Sequence, residues 1–416
     1  MPITVVEAGL VGGECSYFAC MPSKTLLRAP ELREAGARTP GLQRGPLDVE
    51  ALFAWRDKVV DNRKDDGQVE WLRGLPVELV RGEGRVVRPG VVEVAGQELE
   101  YDTLVVATGS SPVSPAIEGL EGVEAWSTKD ATSSHKVPES LVVIGGGVAG
   151  CELAQLYRRL GSEVTIVQRG PRLIPRMDEE AADVLRAAFE EEGIRLRFGA
   201  AVRRVRLTHD PAVTIALDGG DELTAERLLV AAGREPNAEG LGLEELGVQI
   251  SPHGIVVDDR LRAGDGVYAL GDVTGISMFT HVGKYHARIA AANIAGQDRA
   301  ADYRAIPAVS FTDPQVAAVG TTDGEGLVLA RYNVEKTSRA STYERPKRHG
   351  FLKLAADPAR RVLVGAVAVG PEAGEWCQQL TLAIRAEIPI ETLLDVIQPF
   401  PTFSEIVFWA LQELPL

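Results

Sequence analysis

Cysteine is scarce. Only Cys15, Cys20, Cys151 and Cys377 occur in 416 residues, too few for the disulfide framework of a small secreted scaffold. Cationic charge is also short. Against 59 acids there are 44 lysines and arginines, leaving a net charge of −15. That balance argues against nucleic acid as a partner, because a phosphate backbone attracts a basic face, and it argues against an anionic membrane surface. No apolar run approaches the roughly 20 residues of a membrane-spanning helix. No basic stretch followed by an apolar one marks a secretory leader. The expectation is a cytoplasmic chain with neither nucleic acid nor membrane as partner. Histidine is sparse and scattered, at 135, 209, 253, 281, 286 and 349. No second Cys/His pair has the spacing of a four-ligand zinc site, so no metal is expected.

What is present is an ordinary globular composition, 45% apolar and 25% charged, in a chain too long for one hydrophobic core. Roughly two to four domains are expected. Residues 2–7 read as a strand ending in Glu7, residues 47–73 as helical, and 77–106 as short β-rich runs between glycine turns, closing on Thr108-Gly109-Ser110. A weakly patterned, proline-containing stretch follows at 111–139 and marks a domain crossing. Residues 141–144 are an apolar strand without polar alternation, followed by a glycine turn, a helix over 151–160, a strand over 164–167 and a helix over 179–192. A strand at 266–270 leads into Gly271-Asp272 and a helix over 282–295. Beyond 305, strands at 308–311, 351–355 and 362–369 and helices at 375–386 and 405–412 predict a separate α+β domain of about 110 residues.

Three motifs carry chemistry. Gly145-Gly146-Gly147-Val148-Ala149-Gly150 fits the dinucleotide turn: it follows an apolar strand, opens a helix and has a second strand some 20 residues on. Its glycines would let backbone N–H groups approach a pyrophosphate at the helix N-terminus, where a plain packing turn is the alternative. The second strand ends in Gln168-Arg169, with Arg172 and Arg176 behind and no acid at the position that would hold an NAD ribose. That favours the 2′-phosphate of NADPH, with Arg169 as an ordinary solvated cation the alternative. Cys15 and Cys20 lie five apart at the start of a helical pattern running through Lys24 and Leu27. Thiols there suit redox chemistry, because a helix N-terminus lowers thiolate pKa; two incidental buried thiols are the alternative.

Gly12-Gly13-Glu14-Cys15…Cys20-Met21-Pro22-Ser23-Lys24 resembles the redox-disulfide segment of class I pyridine nucleotide–disulfide oxidoreductases, the family of dihydrolipoamide dehydrogenase, glutathione reductase and mercuric reductase. The likeness covers almost the whole chain. Thr108-Gly109-Ser110, residues 145–152, Gly233-Arg234-x-Pro236-Asn237, Gly271-Asp272 and Phe311-Thr312-Asp313-Pro314 follow in the family's order. The resemblance implies an α/β fold with two dinucleotide-binding, Rossmann-like domains, the second inserted in the first, and a C-terminal α+β dimerisation domain. Residues 1–125 with 257–304 would bind FAD, 126–256 would bind NAD(P), and 305–416 would form the interface of a homodimer. Cys20 would face the flavin, Cys15 would attack substrate, and Lys24 would pair with Glu152. Glu7, Gly84, Thr108, Gly109, Ser110, Asp272, Met278, Phe279, Thr280 and His281 would hold FAD. Gly145, Gly147, Gly150, Arg169 and Gly233 would hold NADPH, with NAD possible. Electrons would pass from NADPH through FAD and the Cys15–Cys20 disulfide to a small-molecule acceptor. Cys151 and Cys377 match no family role and read as packing residues.

Two departures matter. Where lipoamide and glutathione reductases carry His-Pro-Thr-x-x-Glu, with the His as acid–base, this chain has Phe400-Pro401-Thr402-Phe403-Ser404-Glu405. Glu405 keeps its place among the expected catalytic residues, but no histidine follows His349. The extra cysteine pairs of mercuric reductase are absent as well. An unusual disulfide, a quinone or another small acceptor is therefore expected. Second, the strand and glycine turn that should precede Glu7 are missing, about one βα unit of 30 residues. Weak FAD retention or none is the expectation, with another strand filling the gap as the alternative; a truncated, non-catalytic nucleotide-binding relative is the alternative to an enzyme.

Overall fold

Strands covered on both faces have no polar alternation, and Val143, Ile166 and Leu229, each fully buried, belong to such runs. In the computed structural model, which describes residues 2–43, 45–209, 211–343 and 350–416, they pair in one sheet. The order is Arg195–Phe198, Glu163–Gln168, Ser140–Ile144, Arg227–Val230, all parallel. On one face the helices Val148–Leu160 and Glu179–Glu191 bury Leu156, Leu185 and Phe189. On the other, Val142 and Val167 pack with Val205 and Ile215 of a three-stranded antiparallel sheet, Val202–His209, Ala212–Leu217 and Glu222–Ala225.

The same compact unit, Ser23–Trp55, Ser114–Ala232 and Tyr303–Leu416, contains the C-terminal domain. There a five-stranded antiparallel sheet runs in the order Pro307–Ser310, Gln315–Gly320, Val362–Gly370, Phe351–Asp357, Val328–Asn333. Leu380 and Ile384 of Gln378–Arg385 and Ile406 and Ala410 of Ile406–Gln412 close its core over Leu352 and Leu354.

The other compact unit comprises the chain up to Pro22, Arg56–Val113 and Gly233–Asp302. Ile3–Glu7 pairs in parallel with Val77–Arg81, and Leu104–Val106 in parallel with Val267–Ala269, which also pairs with Arg262–Gly264. Gly84–Arg88, Val91–Val94 and Gln97–Glu100 form an antiparallel meander. Val86, Val106, Leu243, Ile255, Val267 and Val273 make its core. The architecture is α/β, with two Rossmann-like domains, the second inserted in the first along the chain, and a C-terminal α+β domain.

The helices differ from expectation where local signals are short. Within 111–139 a six-residue helix, Thr128–Ser133, forms under a capping box of Ser127 and Asp130; fewer than two turns are too few to show a period. The expected helix at 375–386 is two, Ala373–Trp376 and Gln378–Arg385. His349 lies outside the described residues.

One buried polar cluster ties three chain segments of the larger unit. Arg159, with a side chain 4% exposed, donates to Glu192 at 2.7 Å and Asp313 at 2.6 Å. Arg38 donates to Asp313 at 3.0 Å. Gln155 donates to Glu192 Oε1 and the Asp313 carbonyl and accepts the Asp313 N–H. Removing Arg159 leaves Glu192 without its cation and Asp313 with Arg38 alone in a mostly buried site, and breaking such a pair typically costs about 3–5 kcal/mol. Arg159→Ala should lower the urea midpoint accordingly, with an unchanged slope. A loss under about 1 kcal/mol would mean that water already solvates the pair.

Candidate active site

The two near-neighbour cysteines meet because a helix breaks between them. Gly12 and Gly13 take φ of 116° and 71°, left-handed values that L side chains rarely adopt, and they turn the chain into the short helix Gly13–Tyr17. The Tyr17 hydroxyl donates to the Val11 carbonyl at 2.9 Å, and the Val11 N–H donates to Asp65 at 2.7 Å, fixing that turn. Phe18 N–H and Ala19 N–H both donate to the Glu14 carbonyl, at 2.8 and 3.0 Å, ending the helix. The helix Cys20–Arg38 then begins at once. In one continuous helix, positions five apart would have Cα atoms roughly 8–9 Å apart on different faces, beyond disulfide reach. Across the break the Cα atoms are 4.8 Å apart and Cys15 and Cys20 are disulfide-bonded. Both are partly exposed, and Cys20 Sγ lies 3.7 Å from Thr280 Oγ1. By contrast Cys151 and Cys377 are buried. Burial pushes the Cys151 thiol far above its ordinary range and Cys377 up to about 12.

In the same unit the Thr108-Gly109-Ser110 and Gly233-to-Asn237 segments are knitted together. Thr108 Oγ1 donates to the Asn237 carbonyl at 2.7 Å, Asn237 Nδ2 returns to the Thr108 carbonyl at 2.9 Å, and the Asn237 N–H meets the Gly109 carbonyl. Ser110 Oγ donates to Asp272 at 2.6 Å and accepts from Arg234 Nε at 2.8 Å. Arg234 also pairs with Glu14. His286, buried and thereby held below the usual histidine pKa, accepts the Gly271 N–H on Nδ1 and fixes the loop that carries Asp272. The following helix, Thr280–Ile294, starts with no side-chain cap and no acid in its first turn, and its Val282 N–H donates to the Phe279 carbonyl at 2.9 Å. Phe279 and His281 stack there, centroids 5.1 Å apart. Glu7 accepts the Gly9 N–H at 2.7 Å. Gly84 is close-packed: a Cβ there would stand 3.1 Å from Val6 Cγ1.

The larger unit holds the other candidates. Lys24 Nζ donates to Glu152 Oε2 at 2.6 Å, while Glu152 Oε1 accepts the Phe311 N–H at 2.9 Å and the ammonium sits 4.8 Å from the Phe311 ring centroid. The glycine turn separates into two roles. A Cβ on Gly145 (φ 107°) would strike the Ala231 carbonyl at 2.3 Å, and one on Gly150 the Gly145 carbonyl at 2.0 Å, so strand and helix themselves require these two. A Cβ on Gly147, which precedes the uncapped Val148–Leu160 helix, would meet nothing within 4 Å. Gln168 Oε1 accepts the Gly146 N–H at 2.8 Å, Arg169 is exposed, and Arg172 Nε is buried without a hydrogen bond.

Comparison with known proteins names this arrangement. Residues 1–294 match the family model described as pyridine nucleotide-disulphide oxidoreductase, and 306–411 match that family's dimerisation domain. The chain belongs to the pyridine nucleotide-disulphide oxidoreductase family. It is 37% identical to dihydrolipoyl dehydrogenase of Thermus scotoductus, over all of this chain and 92% of the relative. It is 34% identical to mercuric reductase of Lysinibacillus sphaericus, over 97% of this chain and 76% of the relative. The crystal structure of LpdA from Mycobacterium tuberculosis superposes with a TM-score of 0.90 at 27% identity, covering 99% of this chain and 93% of that one.

As a member of this family the chain is a flavin-dependent oxidoreductase, and its cofactors are FAD and a pyridine nucleotide. The residues present fit both. The open face at Gly147, the uncapped helix behind it and the orphaned Arg172 Nε suit a nucleotide's pyrophosphate and a further anionic group. Asp272 and the start of Thr280–Ile294, which carries no acid in its first turn, suit FAD. Motif reading alone missed Glu14 and the roles of Arg234 and Asn237. Their only signals were the Gly12-to-Lys24 and Gly233-Arg234-x-Pro236-Asn237 strings, which name no partner.

In this oxidoreductase the two glycine roles separate experimentally. Gly150→Ala should destabilise the protein, because the new Cβ collides with backbone. Gly147→Ala should leave the melting temperature within a degree or two of the parent but weaken nucleotide binding at least tenfold, measured by calorimetric titration. Nucleotide affinity unchanged in Gly147→Ala would remove the pyrophosphate from this turn.

Proposed function

We propose that this oxidoreductase carries electrons from NADPH through FAD and the Cys15–Cys20 pair to a disulfide or other small acceptor. The observation that carries the reading is the partly exposed Cys15–Cys20 disulfide. When bound, FAD would accept hydride from the nucleotide and return two electrons to that disulfide. Those electrons and one proton open the S–S bond into one thiol and one thiolate, with Cys20 facing the flavin and Cys15 the acceptor. Glu7, Gly84, Thr108 to Ser110, Asp272 and Met278 to His281 would hold FAD. Gly145, Gly147, Gly150, Arg169 and Gly233 would hold NADPH. Lys24 and Glu152 would keep their ion pair throughout. Residues 1–125 with 257–304, 126–256 and 305–416 would be the FAD, nucleotide and interface domains of a cytoplasmic homodimer. The family's dimerisation domain supports the last of these.

The C-terminal residues bear on the acceptor. Phe400 is 75% exposed and its ring carries no exchangeable proton. Glu405 is buried and accepts the Ser338 N–H at 2.6 Å, so the carboxylate serves as a backbone anchor. Without an imidazole at 400, protonation of a leaving thiol has no local donor, and quinones or unusual disulfides suit the site better.

NADPH should reduce the flavin more efficiently than NADH. Arg169→Ala should remove a charge-assisted phosphate contact worth about 1.5–3 kcal/mol from NADPH and spare NADH. Equal efficiency with both nucleotides in the unmutated protein would end the preference.

Dihydrolipoamide should be a poor substrate, slower than in the family's histidine-bearing members by about 10²–10⁴-fold, the usual contribution of an acid–base group. Phe400→His should raise that turnover. Parent rates already equal to those of such members would refute the assignment.

A further inference from the structure

Glu14 directly precedes Cys15 in the first turn of Gly13–Tyr17 and pairs with Arg234 of the Arg234–Pro236 strand, in the same compact unit. Arg234 is itself held in place. Its Nε donates to Ser110 Oγ at 2.8 Å and its Nη2 to the Ser110 carbonyl at 2.5 Å, while Ser110 Oγ leans on Asp272 at 2.6 Å. None of the roles above uses this pair.

We infer that Arg234 is a positioning residue for the redox disulfide: by neutralising Glu14 it keeps Cys15 able to ionise once the disulfide is opened. Reductive opening by two electrons and one proton leaves a thiol and a thiolate, and only a thiolate attacks an acceptor. A bare carboxylate on the adjacent residue disfavours that second negative charge, and a guanidinium bound to the carboxylate cancels it. The other titratable groups bonded around these helices have partners of their own. Asp65, behind the Gly12-Gly13 turn, is paired with Arg81, which also donates to the Gly9 carbonyl. Tyr17 is pushed above its ordinary pKa by burial and by Asp65, so it stays neutral. Asp272 is engaged by Ser110, and Glu7 by the Gly9 N–H. His281 stacks on Phe279 beside Thr280, and Lys24 is paired with Glu152. Glu14 is thus the acid beside Cys15 whose charge depends on one partner. Glu14 and Arg234 are 34% and 28% exposed, so water tempers the effect to about one pKa unit.

The inference rests on the proposed role of Cys15 as the outward thiol, and the test separates the two. In a Cys20→Ser background Cys15 is the remaining site thiol, with buried Cys151 and Cys377 as internal controls. The pH dependence of Cys15 alkylation by iodoacetamide, followed by peptide mass in the flavin-loaded protein, reads its ionisation directly. Arg234→Ala should raise the apparent pKa of Cys15 by about one unit. Adding Glu14→Gln to Arg234→Ala should restore the parent value, and Arg234→Lys should keep it. If Arg234→Ala fails to fold, Arg234→Gln, which retains a donor for Ser110, should show the same rise. An unshifted Cys15, or a shift that persists when Glu14→Gln is added, overturns the inference and leaves the electron relay standing. Failure of NADPH to open the disulfide would strike the relay instead and leave the titration readable.

Discussion

A helix that stops after one turn is the constraint on which this chemistry depends. Had the chain wound on through Phe18 and Ala19, Cys15 and Cys20 would stand too far apart and on different faces to bond. The stop is built from backbone: two consecutive N–H groups share the Glu14 carbonyl, and a left-handed Gly12-Gly13 turn sets the direction beforehand. The bond closes so short a loop that it ties down little of the chain, so its worth lies in being opened and closed. The fold supports this by leaving both cysteines partly exposed and sending the other two into cores where burial raises their thiol pKa.

The same logic of close backbone approach organises the nucleotide turn. Gly145 and Gly150 exist because strand, turn and helix come within touching distance of carbonyl groups, and any Cβ would separate them. Gly147 differs, since its missing side chain faces open space at an uncapped helix start. A motif of identical letters thus contains two glycines that the backbone packing requires and one that it does not.

The parts legible in the sequence were those with a local signature. Residues 141–144 and 164–167 were readable as strands because fully buried parallel strands carry no polar alternation, and they pair as expected. Lys24 and Glu152 meet as the family resemblance implied, 128 positions apart. The break at Phe18–Ala19 was hidden, because the cysteine spacing and the apolar pattern through Leu27 fit a single helix equally well. Glu14 and Arg234 were hidden for another reason: their 220-residue separation leaves no periodic trace. Thr128–Ser133 was too short to show a period, although Ser127 and Asp130 carried its capping signature. Glu405 retained its residue type while its carboxylate engaged the Ser338 N–H, a partner that no motif announces.

The central claim is that the Cys15–Cys20 disulfide exchanges electrons with the flavin. Absorbance spectroscopy during anaerobic NADPH addition to the flavin-loaded protein tests it most directly. A long-wavelength charge-transfer band, from the Cys20 thiolate against oxidised flavin, should grow in the parent and be absent in Cys20→Ser. A band of equal intensity in Cys20→Ser would contradict the account.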